Sequence, residues 1–143
     1  MTVDTFGQVN WLAVIVAAIA YFALGAVVYM PSTPISRAWQ KATAMQMRPE
    51  QPSPSPLFYA GPLVAYFVAA AATAALARAT ATDTFGEAIV LGLVVGIGYA
   101  VMSWFIAAMF DPQKPQPWVW FAINSGYHLV GLLVVAVIVS LWR

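Results

Sequence analysis

Every Asp, Glu, Lys and Arg of this chain lies outside four long apolar stretches, residues 11–30, 57–77, 88–110 and 118–142. Each stretch reaches the ~20 residues that an α-helix needs to cross ~30 Å of hydrocarbon. Hydrocarbon offers no partner to backbone N–H and C=O groups, so uncharged runs of this length form helices. A barrel strand would show alternation over roughly ten residues instead. The chain is 62% hydrophobic and 8% charged, against about a quarter charged in soluble domains. The pattern predicts an all-α integral membrane protein: four transmembrane helices in a compact bundle, forming a single domain over residues 1–143. Only Asp4 precedes the first run, with no Lys or Arg, so that run reads as a retained span and not as a cleaved signal.

A net charge of +1 with scattered cations argues against nucleic acid as a partner. The expected partners are the lipid bilayer and other membrane subunits, or a second copy of the chain. The absence of cysteine removes disulfides, thiolate metal sites and thiol catalysis. No phosphate loop, Ser-His-Asp spacing or metal motif is present, so no catalytic residue and no metal ligand set is assigned.

Nine of the ten prolines fall between spans one and two or between spans three and four, and Pro62 stands just inside span two. With four spans these two connections share one side of the membrane. Arg37, Lys41, Arg48 and Lys114 lie on that side, against Arg78 and Arg143 on the other. The positive-inside rule therefore predicts a multi-pass protein with cytoplasmic proline-rich loops and both termini outside. Between residues 34 and 45 a short interfacial helix is expected, with Ile35, Trp39, Ala42 and Met45 on the apolar face and Arg37 and Lys41 positioned to meet lipid phosphates. A proline-rich extended tether, residues 49–56, follows it. Thr84 and Glu87 have the spacing of a capping box, which gives Glu87 a structural role at the head of span three. Ala18-Ile19-Ala20-Tyr21 and Gly96-Ile97-Gly98-Tyr99 suggest a parallel duplication of a two-helix unit.

Ala88, Gly92, Gly96 and Ala100 recur at four-residue intervals, a stripe that allows close helix packing and marks span three as the expected centre of the bundle. Trp11, Trp39, Trp118, Trp120 and Trp142 stand near span ends as interfacial anchors, while Trp104 lies deeper. One polar patch remains at depth: Asn124, Tyr127 and His128 in span four. It reads as an inter-helix hydrogen-bonded seam, with Tyr99 or Ser103 as expected partners. The functional alternatives are a proton or small-solute pathway, or a haem or pigment held by His128, the one candidate axial ligand. No cofactor is expected.

Several landmarks carry a resemblance. They are Asn10-Trp11 at the first span, Gly25 and Tyr29-x-Pro31 at its end, Arg37-Ala38-Trp39 after it, Phe85-Gly86-Glu87, Asn124-x-x-Tyr127-His128-Leu129, and Leu141-Trp142-Arg143. Together they resemble the bacterial membrane family catalogued as domain of unknown function 1761. The family usually has Trp-Tyr and a Gly-Lys-x-Trp step where this chain has Val28-Tyr29 and Ser36-Arg37-Ala38-Trp39. The resemblance implies a four-helix inner-membrane protein and no particular activity.

Overall fold

The computed structural model describes residues 3–45, 56–111 and 113–142. The tether over 49–55 lies outside the described residues. A short 3₁₀ turn, Val3–Gln8, leads into α1 (Trp11–Val28), followed by α2 (Pro34–Thr43) and α3 (Pro56–Ala79). The third span is built from α4 (Phe85–Val95), a π-helical turn (Gly96–Val101) and α5 (Met102–Phe110), and α6 (Pro117–Leu141) closes the chain. Four helices are long and apolar enough to cross a membrane, and no strand occurs among the described residues. The fold is an all-α bundle.

Helix starts follow from local chemistry. Asn10 accepts from the N–H groups of Leu12 and Ala13 at 3.1 and 3.2 Å, satisfying two orphan donors of α1. The Thr84 hydroxyl accepts from Glu87 N–H at 3.3 Å while the Glu87 carboxylate accepts from Thr84 N–H at 3.1 Å, so the capping box is complete. Pro56 and Pro117 open α3 and α6, where a missing N–H costs nothing. Arg78 sits in the last turn of α3, where a cation complements the exposed carbonyls.

The bundle centre is α6, and the expectation that span three is central is corrected. α6 packs against α1, α2, α3 and all three pieces of span three, whereas span three has no other extensive neighbour. The reason lies in the small residues. A Cβ on Gly92 would run into Leu133 and Ala136, and one on Gly96 into Leu129, so the stripe is filled by α6 of the same chain. Gly25 and Gly131 play the same part on the other side of α6. The Tyr127 ring fills the space beside Gly25, and the Tyr21 ring fills the space beside Gly131.

The π turn explains how a four-residue stripe can stay on one side over a whole span. On a regular α-helix each four-residue step drifts by about 40°. After the five steps from Ala88 to Ala108 the stripe would have swung by roughly 200°, yet both residues are buried. In the turn the N–H of Met102 bonds the carbonyl of Ile97, five residues back, and the wider turn winds more slowly. Trp104 and Ala108 are thereby returned to the bundle, where Ala108 meets Ala42 and Trp120.

α2 forms where a short interfacial helix was expected, with Ala42 and Ser36 buried, Trp39 half-buried, and Ile35 47% exposed as apolar surface for lipid. Ser36 tolerates burial because its hydroxyl donates to Tyr29 O at 3.2 Å. Two further expectations are corrected. Trp120 is not a belt residue; it is buried against Trp104, with Lys114 over its ring. The duplication also fails at its aromatic pair, since Tyr21 is 2% exposed and Tyr99 71%. Trp11, Trp118 and Trp142 are exposed near helix ends, and Trp39 is half-buried beside Tyr29.

Gly131→Ala should force the Tyr21 ring out of its seat and destabilise the bundle by about 1–3 kcal/mol, the usual cost of overpacking. Gly98→Ala, which has open space around it, should leave stability unchanged or slightly raised. Thermal unfolding in a fixed detergent reads both, and equal effects would refute the Tyr21–Gly131 packing.

Candidate functional site

The site is the polar seam between α1 and α6, and it grows out of the register of that helix pair. The helices run antiparallel, and their partners climb one as they descend the other. Asn10 Nδ2 meets Trp142 O at 3.5 Å, Tyr21 lies over Gly131, Gly25 receives Tyr127, and the Tyr29 hydroxyl donates to Asn124 Oδ1 at 2.8 Å. The register brings His128 beside Tyr21. The phenol oxygen and His128 Nδ1 are 2.5 Å apart.

Two tautomers satisfy this pair: the phenol donates to Nδ1 and the imidazole proton sits on Nε2, or the phenol donates to the His128 carbonyl at 3.5 Å while Nδ1–H donates to the phenol oxygen. Nε2 has no hydrogen bond to a described residue. The remaining polar groups are paired within the chain. Asn124 Nδ2 donates to Trp120 O at 2.7 Å, the Ser125 hydroxyl to Phe121 O at 2.6 Å, and the Tyr127 hydroxyl to Tyr21 O at 3.4 Å.

Aromatic rings from all the other spans enclose His128. Trp104 stacks on the imidazole at 5.3 Å and 18°. Tyr21 meets it edge-on at 5.9 Å and Tyr66 of α3 at 6.4 Å, while Tyr66 stacks on Tyr21 at 4.2 Å. At the end nearer α2, Tyr29 stands edge-on to both Tyr127 and Trp39.

The structure thus brings together Asn124, Tyr127 and His128, but not with the expected partners. Tyr99 is on the outer side of the π turn, and Ser103 is exposed. The hydroxyls come from Tyr21 and Tyr29 instead. Sequence reasoning missed Tyr21, Tyr29 and Tyr66 as site residues. A usable signal existed for the first two: Tyr21 in α1 and Tyr29 at its C-cap stand eight apart, about 80° round the helix and so within one broad stripe. The stripe Ala88, Gly92, Gly96 and Ala100 lines the opposite flank of α6 and contributes no polar group. Among the described residues no cluster of three or more His, Asp or Glu side chains could hold a metal ion.

The chain matches the family described as "Protein of unknown function (DUF1761)" over residues 12–140 and belongs to it. The matched region holds all four spans. No curated protein and no solved structure matches the chain.

Double-mutant cycles test the seam. Tyr29→Phe combined with Asn124→Ala, and Tyr21→Phe combined with His128→Ala, should each show a coupling of about 0.6 kcal/mol and up to ~1.7, the range of hydrogen bonds between membrane helices. Tyr99→Phe combined with His128→Ala should show none. Unfolding in mixed micelles reads all three, and a Tyr99 coupling as large as that of Tyr21 would contradict the arrangement.

Proposed function

We propose that this chain is a non-catalytic, multi-pass protein of the bacterial cytoplasmic membrane that works by packing, as an accessory subunit of a larger membrane complex or as a homo-oligomer. One observation carries this reading: the hydrogen-bonding side chains at depth on α1 and α6 are engaged in holding those helices together, and the faces turned outward are apolar. Val64 and Val68 of α3, Val90 and Val94 of α4, and Ile106 and Met109 of α5 are all exposed. Such faces suit lipid or another apolar helix and offer nothing to a polar substrate. The proline-rich connections are assigned to the cytoplasm and the termini to the outside by the excess of cations on the loop side.

A second reading rests on one atom. Nε2 of His128 has no hydrogen-bond partner among the described residues, and such a nitrogen at bilayer depth can serve a proton path, bind a solute or act as an axial metal ligand.

Purification from the native membrane in mild detergent separates the readings. The packing role predicts a copurifying membrane chain or a multiple of this one, with no visible absorption band. A lone monomer with no companion would refute it, and a Soret or pigment band would move the assignment to cofactor binding. A proteoliposome proton flux lost in His128→Ala but intact in Tyr99→Phe would establish the pathway instead.

A further inference from the structure

We propose that α2 binds the headgroup phosphate of an anionic phospholipid between Arg37 and Lys41. α2 runs from the Thr33 cap to Ala44, and its inner face packs through Ala42 and Trp39 against Ala108 and Trp120, at the ends of α5 and α6. This seat puts the helix at the rim of the bundle, the level of lipid headgroups. Arg37 and Lys41 stand one turn apart and exposed, on the side away from the bundle.

Two like charges at this spacing repel each other on a bare helix. Among the described residues no carboxylate pairs with either. The one described ion pair joins Asp111 to Lys114, and the hydrogen bond from Lys114 holds the Asp111 carboxyl below the usual carboxylate range. Among the described residues, therefore, neither cation faces an anion of the chain.

Two shallow, open depressions flank the pair, and both are lined by Arg37 and Lys41. The first is bordered by Pro34, Ala38 and Gln116. Gln116 is held there because its N–H donates to Ala42 O at 3.3 Å, tying the α5–α6 connection to α2. The second is walled by Gln40, Ala44 and Met45. Arg37 is already oriented: one Nη2–H donates to Ser32 O at 2.9 Å, leaving other guanidinium donors for a phosphate oxygen, with the Lys41 ammonium as a second point charge. Exposed Ile35 on the same helix and Met45 just beyond its C-cap supply apolar surface for the acyl chains. Cations with apolar side chains at the bundle rim fit a phospholipid better than a free anion.

Trp39 on α2 is the reporter, read as the difference in fluorescence between the chain and its Trp39→Phe variant. The protein is placed in phosphatidylcholine vesicles doped at equal mole fraction with brominated-chain phosphatidylglycerol or brominated-chain phosphatidylcholine. The phosphatidylglycerol should quench Trp39 preferentially. The preference should fall about five-fold for each cation removed in Arg37→Gln and Lys41→Gln and persist in the charge-keeping Arg37→Lys. Equal quenching by the two lipids, or a preference that survives the double Gln variant, overturns the proposal. Loss of the preference on adding inorganic phosphate, but not sodium chloride of equal ionic strength, would mark free phosphate as the ligand and overturn the lipid assignment.

Discussion

Between helices in hydrocarbon no hydrophobic force drives association, so the α1–α6 pair depends on how closely two backbones approach and on what hydrogen bonds form where they do. Tyr21 lying over Gly131 and Tyr127 lying beside Gly25 supply both. Each glycine lets a large ring lie across the partner helix, and each ring brings a hydroxyl to a group that lipid cannot satisfy. Because the two helices are antiparallel, one such pair fixes the register for its whole length. The contact of Asn10 with Trp142 at one end and of Tyr29 with Asn124 towards the other follows from the same alignment. α3 then packs on the pair through Tyr66 and its run of buried alanines, and span three closes the opposite flank of α6.

Much of this architecture was legible in the sequence and its partners were not, for a physical reason. Charge exclusion over 11–30 or 118–142 reports on each segment's own solvent, so existence and type of helix follow from one segment alone. The Asn10 and Thr84 caps are equally local, which is why Glu87 stands where its spacing placed it. A partner depends on two segments at once. Tyr21 and Tyr99 share the same short apolar context in the sequence, and only the packing buries one and exposes the other. Span one offered its small residues as plainly as span three did, so a four-residue stripe could not reveal that α6 lies between the two.

The π turn lies between these cases. Its cause is written in the chain, since small or bundle-facing residues continue every four positions from Ala88 through Gly96 to Ala108, a period longer than an α-helix can keep on one side. A run of that length requires either a strongly tilted helix or a local unwinding, and here the helix unwinds at Gly96–Val101. The turn also sets the polar seam's outer wall. Without the slower winding at Gly96–Val101, Trp104 would lie away from α6, and the imidazole would lose the ring stacked on it.

His128 is consequently the residue at which all four spans meet, through Tyr21, Tyr66 and Trp104. A polar ring at depth needs partners for its nitrogens, and Nδ1 has one in the Tyr21 hydroxyl, the shortest hydrogen bond of the seam. Arg37, Lys41 and Lys114 are kept apart from this centre, at the end where α2 is docked and the α5–α6 connection crosses it. The molecule therefore separates its two kinds of polar chemistry along the membrane normal. Hydrogen bonds hold the helices at depth, and uncompensated positive charge faces outward at one rim. A partner that approaches within the bilayer meets apolar surface and must be selected by shape. A partner at the α2 rim meets charge first and is selected by its sign.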